Sequence, residues 1–511
     1  MEFNTSSTLI PLLSFLLFLF LFTFLKCLLT SKSTATSSLY SHLPGPKPLP
    51  IIGHLHLMLR ATAPHHLFRR LAAEHGPLMH LQLGELHFLI VSSVDAARQI
   101  VKTHDATFAN RPPGLVPETL LYSLSDIVFS PCGPHWRRLR RICMEGLLSA
   151  RPVRSFRGIR EEENLNLCRE IASCEGLLVN LSEKIYLATY DVVARAAVKA
   201  KTEEREMMIA VVVESLRLGS GFMLADLFPS VKFLPLITGA WFKIRRMRRR
   251  LDRVLDGIIE QHRAAASDGD GGDGDGGARF VDVLLKFEKD GTLTTDLVKA
   301  LLVDMFVAGT DTSATTVEWA MSEMIRNPSK LNKAQEEVRM VFEEQGYVDE
   351  DKFDKLKYLK LIIKETLRLH PPLPLLVPRM SAQRCEINGY EIPAGTRVVV
   401  QGWVLGRDPE YWNDVEKFIP ERFEESLHDF HASNLEYMPF GAGRRICPGM
   451  LFGLANVEIP LAMLLYHFDW KMPSGMKHDE LDMTEAFGAT VNRKHPLRLI
   501  PIVKRPLRAR V

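Results

Sequence analysis

A nearly continuous apolar run lies close to the N-terminus of the chain. Between Leu9 and Leu29 only four residues interrupt it, namely Pro11, Ser14, Thr23 and Lys26. Because a helix of roughly 20 residues crosses the hydrocarbon core of a bilayer, the run predicts one transmembrane helix. A cleaved signal peptide is the alternative, but no lysine or arginine precedes the run and no small-residue cleavage site ends it. Lys32 and Lys47 follow the run, which predicts a cytosolic location for the remaining chain.

Alternating and helical patterns predict elements of a folded domain farther along the chain. Leu78 to Leu83 and Leu86 to Val91 are rich in apolar residues and flank a turn at Gly84 and Glu85, so they predict a β-hairpin. A helical pattern runs from about Thr295 to Arg326. We expect both elements to belong to one large domain, because no internal repeat or clear linker divides the second half of the chain.

Composition supports a large folded domain in a reducing compartment. The chain has 511 residues, of which 46% are hydrophobic and 24% charged, and its net charge is +3, so general disorder is excluded. The seven cysteines form no CxxC pattern. Residues 1–30 are expected to form the membrane anchor, 31–53 a linker with a stiff proline-rich hinge, and 54–511 the folded domain.

Two further stretches are rich in charge. The basic run Arg245 to Arg250 lacks interleaved aromatic residues, so no nucleic acid is expected as a partner. Ser267 to Gly277 alternates Asp and Gly but lacks the terminal glutamate of an EF-hand calcium loop. This second stretch predicts a flexible solvated loop.

A glycine-rich turn near the C-terminus presents a cysteine just before an apolar helix. It reads Phe440-Gly441-Ala442-Gly443-Arg444-Arg445-Ile446-Cys447-Pro448-Gly449. N–H groups at a helix N-terminus and nearby cations lower the pKa of a cysteine, and a metal ligand must be deprotonated. Phe440 can lie against a porphyrin, and Arg445 can donate to a haem propionate. The turn therefore predicts Cys447 as the thiolate ligand of haem iron, with a buried structural cysteine as the alternative.

The predicted helix at Thr295–Arg326 contains a second chemical motif. Ala308 and Gly309 are small enough to let a flat cofactor and a ligand approach the helix backbone. Asp311 and Thr312 follow them, and an acid next to an alcohol can hand on the protons that splitting dioxygen requires. A structural interruption of the helix is the alternative.

Polar residues elsewhere are candidates for cofactor contacts or for ion pairs that stabilise the fold. Trp136 and Arg140 lie one helical turn apart, so one face can present an indole N–H and a guanidinium to the same propionate. Glu365 and Arg368 are neighbours on one helical face among apolar residues, which predicts a partly buried ion pair.

These motifs resemble those of the cytochrome P450 superfamily. The turn that contains Cys447 is similar to the haem-thiolate loop, and Ala308 to Thr312 to the oxygen-activation segment. The resemblance implies a mainly α-helical fold with small β-sheets and a single N-terminal transmembrane helix. It implies haem b with an axial thiolate as cofactor, and NADPH electrons delivered by a flavin reductase.

The resemblance also implies roles for three arginines. Arg422, in the sequence Pro420-Glu421-Arg422-Phe423, completes an ion-pair lock with Glu365 and Arg368. Arg379 and Arg111 match positions that contact the haem propionates.

Several segments are similar to plant microsomal members, especially the branch rich in terpene hydroxylases. They include Gly76 to Glu85, Tyr390 to Thr396 and Asp482 to Thr490, whereas Gln401-Gly402 stands where that branch more often has Asn-Ala. This likeness implies a single-pass protein of the endoplasmic reticulum membrane with a cytosolic catalytic domain. Its expected partners are NADPH-cytochrome P450 reductase, the membrane, O2 and a small apolar substrate.

The segments expected to line the substrate pocket are apolar or small. They are Ala308, Gly309, Leu375, Leu376, Val377, Phe487, Gly488 and Ala489. We therefore expect a monooxygenase that hydroxylates an apolar plant metabolite, a terpenoid, with a flavonoid, alkaloid or other phenolic as the alternative substrate. A reductase-independent haem-thiolate isomerase or dehydratase would also use a cysteine ligand, but the intact Asp311-Thr312 pair disfavours it. A non-catalytic haem scaffold is the remaining possibility.

Overall fold

The computed structural model describes most of the chain from Tyr40 onward. The described residues are 14, 16, 17, 20, 21, 40–59, 61, 63–198, 202–219, 222–267, 279–473 and 475–507. Apart from those first five residues, the predicted membrane anchor lies outside the described residues. The Asp/Gly stretch also lies outside them, except for Ser267.

Helices dominate the described residues. In chain order they are α1 (Leu55–Met58), α2 (Pro64–His75), α3 (Val94–Arg98), α4 (Leu115–Leu120), α5 (Pro134–Cys143), α6 (Ala150–Ser155), α7 (Arg157–Ala172), α8 (Leu181–Ala197), α9 (Thr202–Leu218), α10 (Leu224–Leu227), α11 (Leu234–Ile237), α12 (Ala240–Ser267), α13 (Phe280–Lys289), α14 (Thr295–Arg326), α15 (Pro328–Phe342), α16 (Lys357–Leu369), α17 (Gly402–Leu405) and α18 (Met450–His467). Short helical turns of other pitch lie at Gln99–Thr103, Met144–Leu148, Glu350–Lys355, Pro420–Phe423, Gly443–Arg445 and His478–Glu480.

The strands are short and form small sheets at the periphery of the helices. They are β1 (Leu78–Leu83), β2 (Leu86–Val91), β3 (Val179–Asn180), β4 (Arg379–Met380), β5 (Cys385–Ile387), β6 (Tyr390–Ile392), β7 (Arg397–Val400), β8 (Phe468–Lys471), β9 (Glu485–Phe487), β10 (Val491–Arg493) and β11 (Arg498–Val503). One sheet has the order β1-β2-β7-β4, a second β3-β11-β8, and β9/β10 and β5/β6 form pairs. The predicted hairpin is confirmed, with Leu78 opposite Val91 and Leu83 opposite Leu86.

Helix α14 crosses the centre of the domain and has the bounds that its sequence pattern predicts. Its 32 residues span about 48 Å. The Thr294 side chain accepts a hydrogen bond from Leu297 N and caps the first turn. Nearly all of its residues are buried, and it packs against α8, α16 and α18. An apolar helix of this kind is stable only inside a protein, so α14 organises the core around the candidate site.

Helix α18 is the one helix of the described residues that is long and apolar enough to cross a membrane. However, 72% of its residues are buried within the protein, where it packs against α14 and α15. Pro460 lies inside it. Its apolar composition therefore reflects its place in the core.

Residues 40–53 pack against the folded domain instead of extending from it as a spacer. Tyr40 and Leu43 are buried, and His80 N donates to Pro44 O at 2.8 Å. Gly53 forms a bridge to Leu83 at the edge of the sheet, a position that suits a proline-rich segment because proline cannot donate to a central ladder. The predicted limit between hinge and domain at residue 53 therefore differs from the structure, in which packing already begins at Tyr40.

Candidate active site

The backbone of the cysteine loop holds Cys447 in one place just before α18. Cys447 N donates to Phe440 O at 2.9 Å. Gly443 has a φ of 66°, and a Cβ at this position would lie 2.4 Å from the Val101 carbonyl oxygen. Only glycine fits that conformation and that close approach. The position of the thiol is thus set by the polypeptide itself.

The ionisation of Cys447 differs from the prediction. Burial raises the pKa of the thiol, while the Gly449 N–H group and the Arg140 guanidinium oppose the rise. The expected fall in pKa is therefore wrong for the polypeptide alone. The free energy of removing the thiolate from water is larger than the stabilisation that the Gly449 N–H group and the Arg140 charge provide. Coordination to a metal ion would reverse that balance, since a coordinating thiol is deprotonated.

The first turn of α18 packs against the middle of α14. A Cβ on Gly309 would lie 3.3 Å from Val193 Cγ2 in α8 and 3.7 Å from Phe452 Cε1 in α18. Gly309 therefore lets three helices approach closely, and its place in the pocket wall stays a prediction. The same contact brings the cysteine loop beside α14.

One face of α14 opens onto a space inside the protein. Ala308 is exposed and Thr312 is half-buried, although Thr310, Asp311 and Ser313 are buried. Ala308 and Thr312 are one turn apart and share a face, and Thr312 Oγ1 donates to the Ala308 carbonyl at 2.7 Å. Val307 and Gly309 on either side of Ala308 are also partly exposed, and because α14 crosses the core, exposure in its middle indicates an internal space.

Arg445 and Trp136 form the centre of a cationic cluster beside the cysteine loop. Arg445 donates to the carbonyl oxygens of Ala109, at 2.7 Å, and Ser130, and its guanidinium carbon lies 4.4 Å from the centroid of the Trp136 ring. Trp136 Nε1 donates to Ile127 O at 3.0 Å. The expectation that this N–H faces a propionate is thus corrected: a buried indole N–H needs an acceptor, and the Ile127 carbonyl provides it.

Three further arginines complete this cluster. Each donates to a backbone carbonyl: Arg111 to Pro378 at 2.9 Å, and Arg379 and Arg140 to Ala442 and Ile446 of the cysteine loop at 2.6 and 3.0 Å. Arg379 also pairs with Asp105 at 2.9 Å, a residue that the sequence motifs did not indicate. The fold therefore gathers the four predicted arginines at the cysteine loop and the segments packed against it.

The charge of this cluster fits haem. Burial lowers the pKa of Arg111, and the charges of Arg379 and Arg445 lower it further. Burial also lowers the pKa of Arg445 to about 10. Of the four clustered arginines, only Arg379 has a carboxylate within ion-pair distance, Asp105, and the two propionates of a porphyrin are carboxylates that could pair with the others.

The donor set around the cavity agrees with the same cofactor. Cys447 is half-buried, as its sulfur must be to ligate an iron atom in the cavity. Cys447 would hold the iron, and the four clustered arginines would hold the propionates. When bound, a thiolate-ligated haem supplies the activation of dioxygen.

The residues predicted to line the substrate pocket fall into two groups. Leu375 is buried in the apolar cluster around β1, β2 and β7, and Leu376 is half-buried, packs against a second apolar cluster and lies 3.4 Å from the position of a Cβ on Gly402. Leu376 has a φ of 51°, which turns successive side chains in different directions. Four others are half-buried and remain predicted pocket residues: Val377, Phe487, Gly488 and Ala489. Phe440 is half-buried and packs edge-on against Phe430.

The ion-pair lock lies in the core, away from the cavity. Arg368 donates to both carboxylate oxygens of Glu365, at 2.7 and 2.8 Å, and Arg422 Nε donates to Glu365 Oε1 at 3.0 Å. Ile419 N donates to the same oxygen at 2.9 Å. Arg368 also donates to the Gly406 carbonyl at 2.7 Å. The network joins α16 to the segment before the cysteine loop.

Asp311 is buried and faces away from the cavity, towards β10. Burial raises the pKa of its carboxyl group, and hydrogen bonds from Thr490 and Asn492 oppose the rise. Thr490 Oγ1 donates to Asp311 Oδ2. Sequence motifs did not indicate these two partners, because they lie nearly 180 residues away along the chain.

Sequence reasoning also missed a pair of buried acids between α14 and the segment before α5. Asp304 Oδ2 accepts from Ile127 N at 2.8 Å. Burial raises the pKa of Asp126 to about 6, and burial together with the charge of Asp126 raises the pKa of Asp304. The signal for Asp304 was available, since it interrupts an apolar part of α14.

A third group combines two histidines with one glutamate. Nε2 of His65 and Nε2 of His66 lie 2.8 and 3.0 Å from Glu485 Oε2. Three such side chains could ligate a metal ion, but His65 Nδ1 is buried without a partner. Histidines that ligate metals almost always use the other nitrogen in a hydrogen bond, so the geometry is that of a carboxylate accepting two N–H groups.

A half-buried cysteine beside an internal cavity and a buried arginine cluster define a haem-thiolate protein. The Cytochrome P450 family matches residues 43–499, and the chain belongs to that family. It is therefore an oxidoreductase of the cytochrome P450 monooxygenase class.

The chain is similar over nearly its full length to plant members of the family. It is 48% identical to salviol synthase of Salvia pomifera over 94% of this chain and 96% of that protein. It is 48% identical to desmethyl-deoxy-podophyllotoxin synthase of Sinopodophyllum hexandrum over 96% of this chain and 97% of that protein. It is 47% identical to premnaspirodiene oxygenase of Hyoscyamus muticus over 96% of this chain and 98% of that protein.

A solved structure shares the fold. A zebra fish cytochrome P450, in a structure with progesterone, superposes with a TM-score of 0.74 at 23% identity, covering 87% of this chain and 100% of that chain. The expected mainly helical fold with small sheets is thus confirmed.

Proposed function

We propose that the protein is a membrane-anchored monooxygenase that takes NADPH electrons from a flavin reductase and hydroxylates an apolar plant metabolite, a mono-, sesqui- or diterpene. The observation that carries this proposal is the internal space beside Ala308 and Thr312, next to the loop that holds Cys447. The names of two similar proteins, salviol synthase and premnaspirodiene oxygenase, support an apolar substrate.

The chain supplies binding and proton handling at this site. Val377, Phe487 and Ala489 offer apolar surface without charged groups, so they orient a ligand by shape. Thr312 carries its hydroxyl on the cavity face, and Asp311 lies beside it on the buried side of α14. This placement supports the role of the two residues in handing protons from the interior to the cavity.

A substrate screen tests the proposal. The protein is expressed in microsomes with a plant reductase, and the reduced carbon monoxide difference spectrum is recorded first. A long-wavelength thiolate band is expected, followed by a hydroxylated product from premnaspirodiene or another terpene hydrocarbon. If products form only from flavonoid, alkaloid or phenolic probes, the substrate belongs to that class and is not a terpenoid. Turnover without a reductase would favour an isomerase or dehydratase, and a thiolate band with no turnover of any probe would favour a haem scaffold.

Thr312→Ala tests the role of the hydroxyl group. We expect the variant to keep the thiolate band and to consume NADPH, but to release peroxide in place of product, because the cavity face loses its proton donor. Thr316→Ala is the matched control, since Thr316 is a buried threonine one turn farther along α14. Fully coupled turnover by the Thr312 variant would remove this residue from proton delivery.

Membrane anchoring is the second part of the proposal. The described apolar residues of the N-terminal run, Leu16, Leu17, Phe20 and Leu21, are helical and exposed, as expected of a helix in contact with lipid. Deletion of residues 1–30 is expected to release the protein from microsomes while keeping the thiolate band. Persistent tight binding to membranes would contradict anchoring by this run alone.

A further inference from the structure

The hairpin of β9 and β10 is tied to α14 at three successive turns of the helix. Asp311, Thr315 and Trp319 lie four residues apart and so share one face. Thr490 donates to Asp311, Thr315 donates to Asn492 Oδ1, and Trp319 Nε1 donates to the Val491 carbonyl at 3.0 Å. Three consecutive residues of the hairpin, 490 to 492, therefore bind the side of α14 that carries the acid.

The partners of the Asp311 carboxyl group are neutral. Thr490 and Asn492 supply its side-chain hydrogen bonds, and Asn492 Nδ2 also lies 3.5 Å from Thr490 Oγ1. The ionisable groups that face it are Tyr186 in α8 and Glu318, two turns farther along the same side of α14, and Glu318 lies 3.9 Å from Arg493. A carboxyl group held by a hydroxyl and an amide can gain or lose a proton without breaking an ion pair.

We propose that Thr490 and Asn492 are positioning residues that hold the Asp311 carboxyl group for proton transfer, so that the β9–β10 hairpin joins the substrate wall to proton delivery. The same hairpin carries Phe487 and Ala489 at its turn, one to three residues before Thr490. Ala489 N donates to Leu216 O in α9 at 3.3 Å, and the Phe487 ring lies 6.3 Å from that of Phe222. A ligand that moves this turn acts directly on the residues that hold the acid.

The inference rests on the role of Asp311 in the proposed function, but its test does not require turnover. The full-length, haem-loaded protein with 13C-labelled aspartate is titrated with acid and base, and the infrared carboxyl and carboxylate bands of Asp311 are assigned by their loss in Asp311→Asn. Removing a hydrogen bond to the carboxylate raises the pKa of an acid. Thr490→Val is therefore expected to move the titration midpoint to higher pH.

Two variants separate positioning from mere packing. Thr490→Ser keeps the hydroxyl and is expected to keep the wild-type midpoint. Thr484→Val removes a hydroxyl from the residue just before the hairpin, one that donates to Asp482 instead, and is expected to leave the midpoint unchanged. An unchanged midpoint in Thr490→Val, or an equal shift in Thr490→Ser, would overturn the proposal. If the three variants show the expected midpoints but the protein turns over no substrate, the positioning role of Thr490 is supported and the proposed function is rejected.

Thermal unfolding provides an independent check. The fall in melting temperature caused by Thr490→Val is measured in the wild-type and Asp311→Ala backgrounds, with the reduced carbon monoxide spectrum as a test of folding. Two residues in direct contact show non-additive effects, whereas separate residues do not. We expect the fall to be at least halved in the Asp311→Ala background, which lacks the acceptor oxygen, and equal falls in the two backgrounds would contradict the direct bond.

Discussion

Two groups of buried arginines in this protein are balanced in different ways. In the ion-pair lock, Arg368 is fully buried against Glu365, which accepts from it twice and from Arg422 once. In the cluster beside the cysteine loop, Arg111 and Arg445 donate to backbone carbonyls, and burial lowers the pKa of both guanidiniums. Both guanidiniums of the first group contact a carboxylate, whereas in the second group only Arg379 has a carboxylate, Asp105, within ion-pair distance.

This difference separates residues that stabilise the fold from residues that bind a ligand. A buried cation without a carboxylate partner is unfavourable for folding, so such a cluster is best explained by an anion that binds to it. A buried ion pair needs no ligand. Removing one of its partners leaves the other as an unpaired buried charge, which destabilises the folded state. The variants below should therefore affect haem binding and stability to different extents.

The largest effect is expected at the ligand itself. Cys447→Ala should abolish the thiolate band of the reduced carbon monoxide complex, because no other described cysteine lies in the loop before α18. The spectrum of the purified variant measures this. Cys385→Ala, a change at a half-buried cysteine in β5, should keep the full band. A normal band in Cys447→Ala would refute the ligand assignment.

The next largest effect is expected in the lock. Glu365→Gln should destabilise the protein by about 3 to 5 kcal/mol, the usual cost of leaving a buried charge without its partner, as measured by urea unfolding. Glu391→Gln removes a carboxylate from an exposed pair with Arg384 and should cost less than about 1 kcal/mol. Equal losses in the two variants would show that the lock is worth no more than a surface pair.

A smaller and different effect is expected in the cluster. Arg445→Lys keeps the charge but loses the planar fork that reaches both Ala109 and Ser130. Loss of one charge-assisted hydrogen bond to a propionate should weaken haem retention roughly tenfold, or about 1.4 kcal/mol, measured by transfer of haem to an excess of apomyoglobin. Arg444→Lys, at the exposed neighbouring position, should retain haem as the wild type does. If the Arg445→Lys variant loses stability but does not release haem faster, Arg445 stabilises the fold, as the ion-pair lock does, and does not bind the cofactor.

The smallest effect is expected at the margin of the lock. Burial tends to raise the pKa of Glu421, but hydrogen bonds from Lys330, Lys333 and Tyr358 outweigh it and lower the pKa to about 2. Because the folded-state pKa lies below the unfolded value, the stabilisation is present above about pH 4.5 and is lost as the pH falls towards 2. Glu421→Gln should remove about 1 kcal/mol of this acid-dependent stability, measured by unfolding at pH 7, 4 and 3. An identical pH dependence in variant and wild type would contradict the assignment.

Much of the fold could be predicted from local patterns. The hairpin of β1 and β2 and the bounds of α14 follow from periodicity and from the caps that end each pattern. The proline-rich segment was predicted as a spacer because prolines stiffen a chain, but its packing on β1 depends on residues some 30 positions away. Local stiffness does not determine what a segment contacts.

For the candidate site, the sequence by itself determined which residue types are available. It also determined the spacing of residues that lie within a few positions of one another along the chain. The cysteine loop and the Glu365-Arg368 pair each lie within a few residues of chain, where spacing along a turn or a helix fixes geometry. Tertiary structure alone decided that Gly309 packs against Val193, and that Leu376 packs against a second apolar cluster. It also placed the carbonyl that Trp136 binds and joined Asp311 to Thr490. The physical reason is that a buried polar group takes whichever partner the fold places beside it, and those partners come from distant parts of the chain.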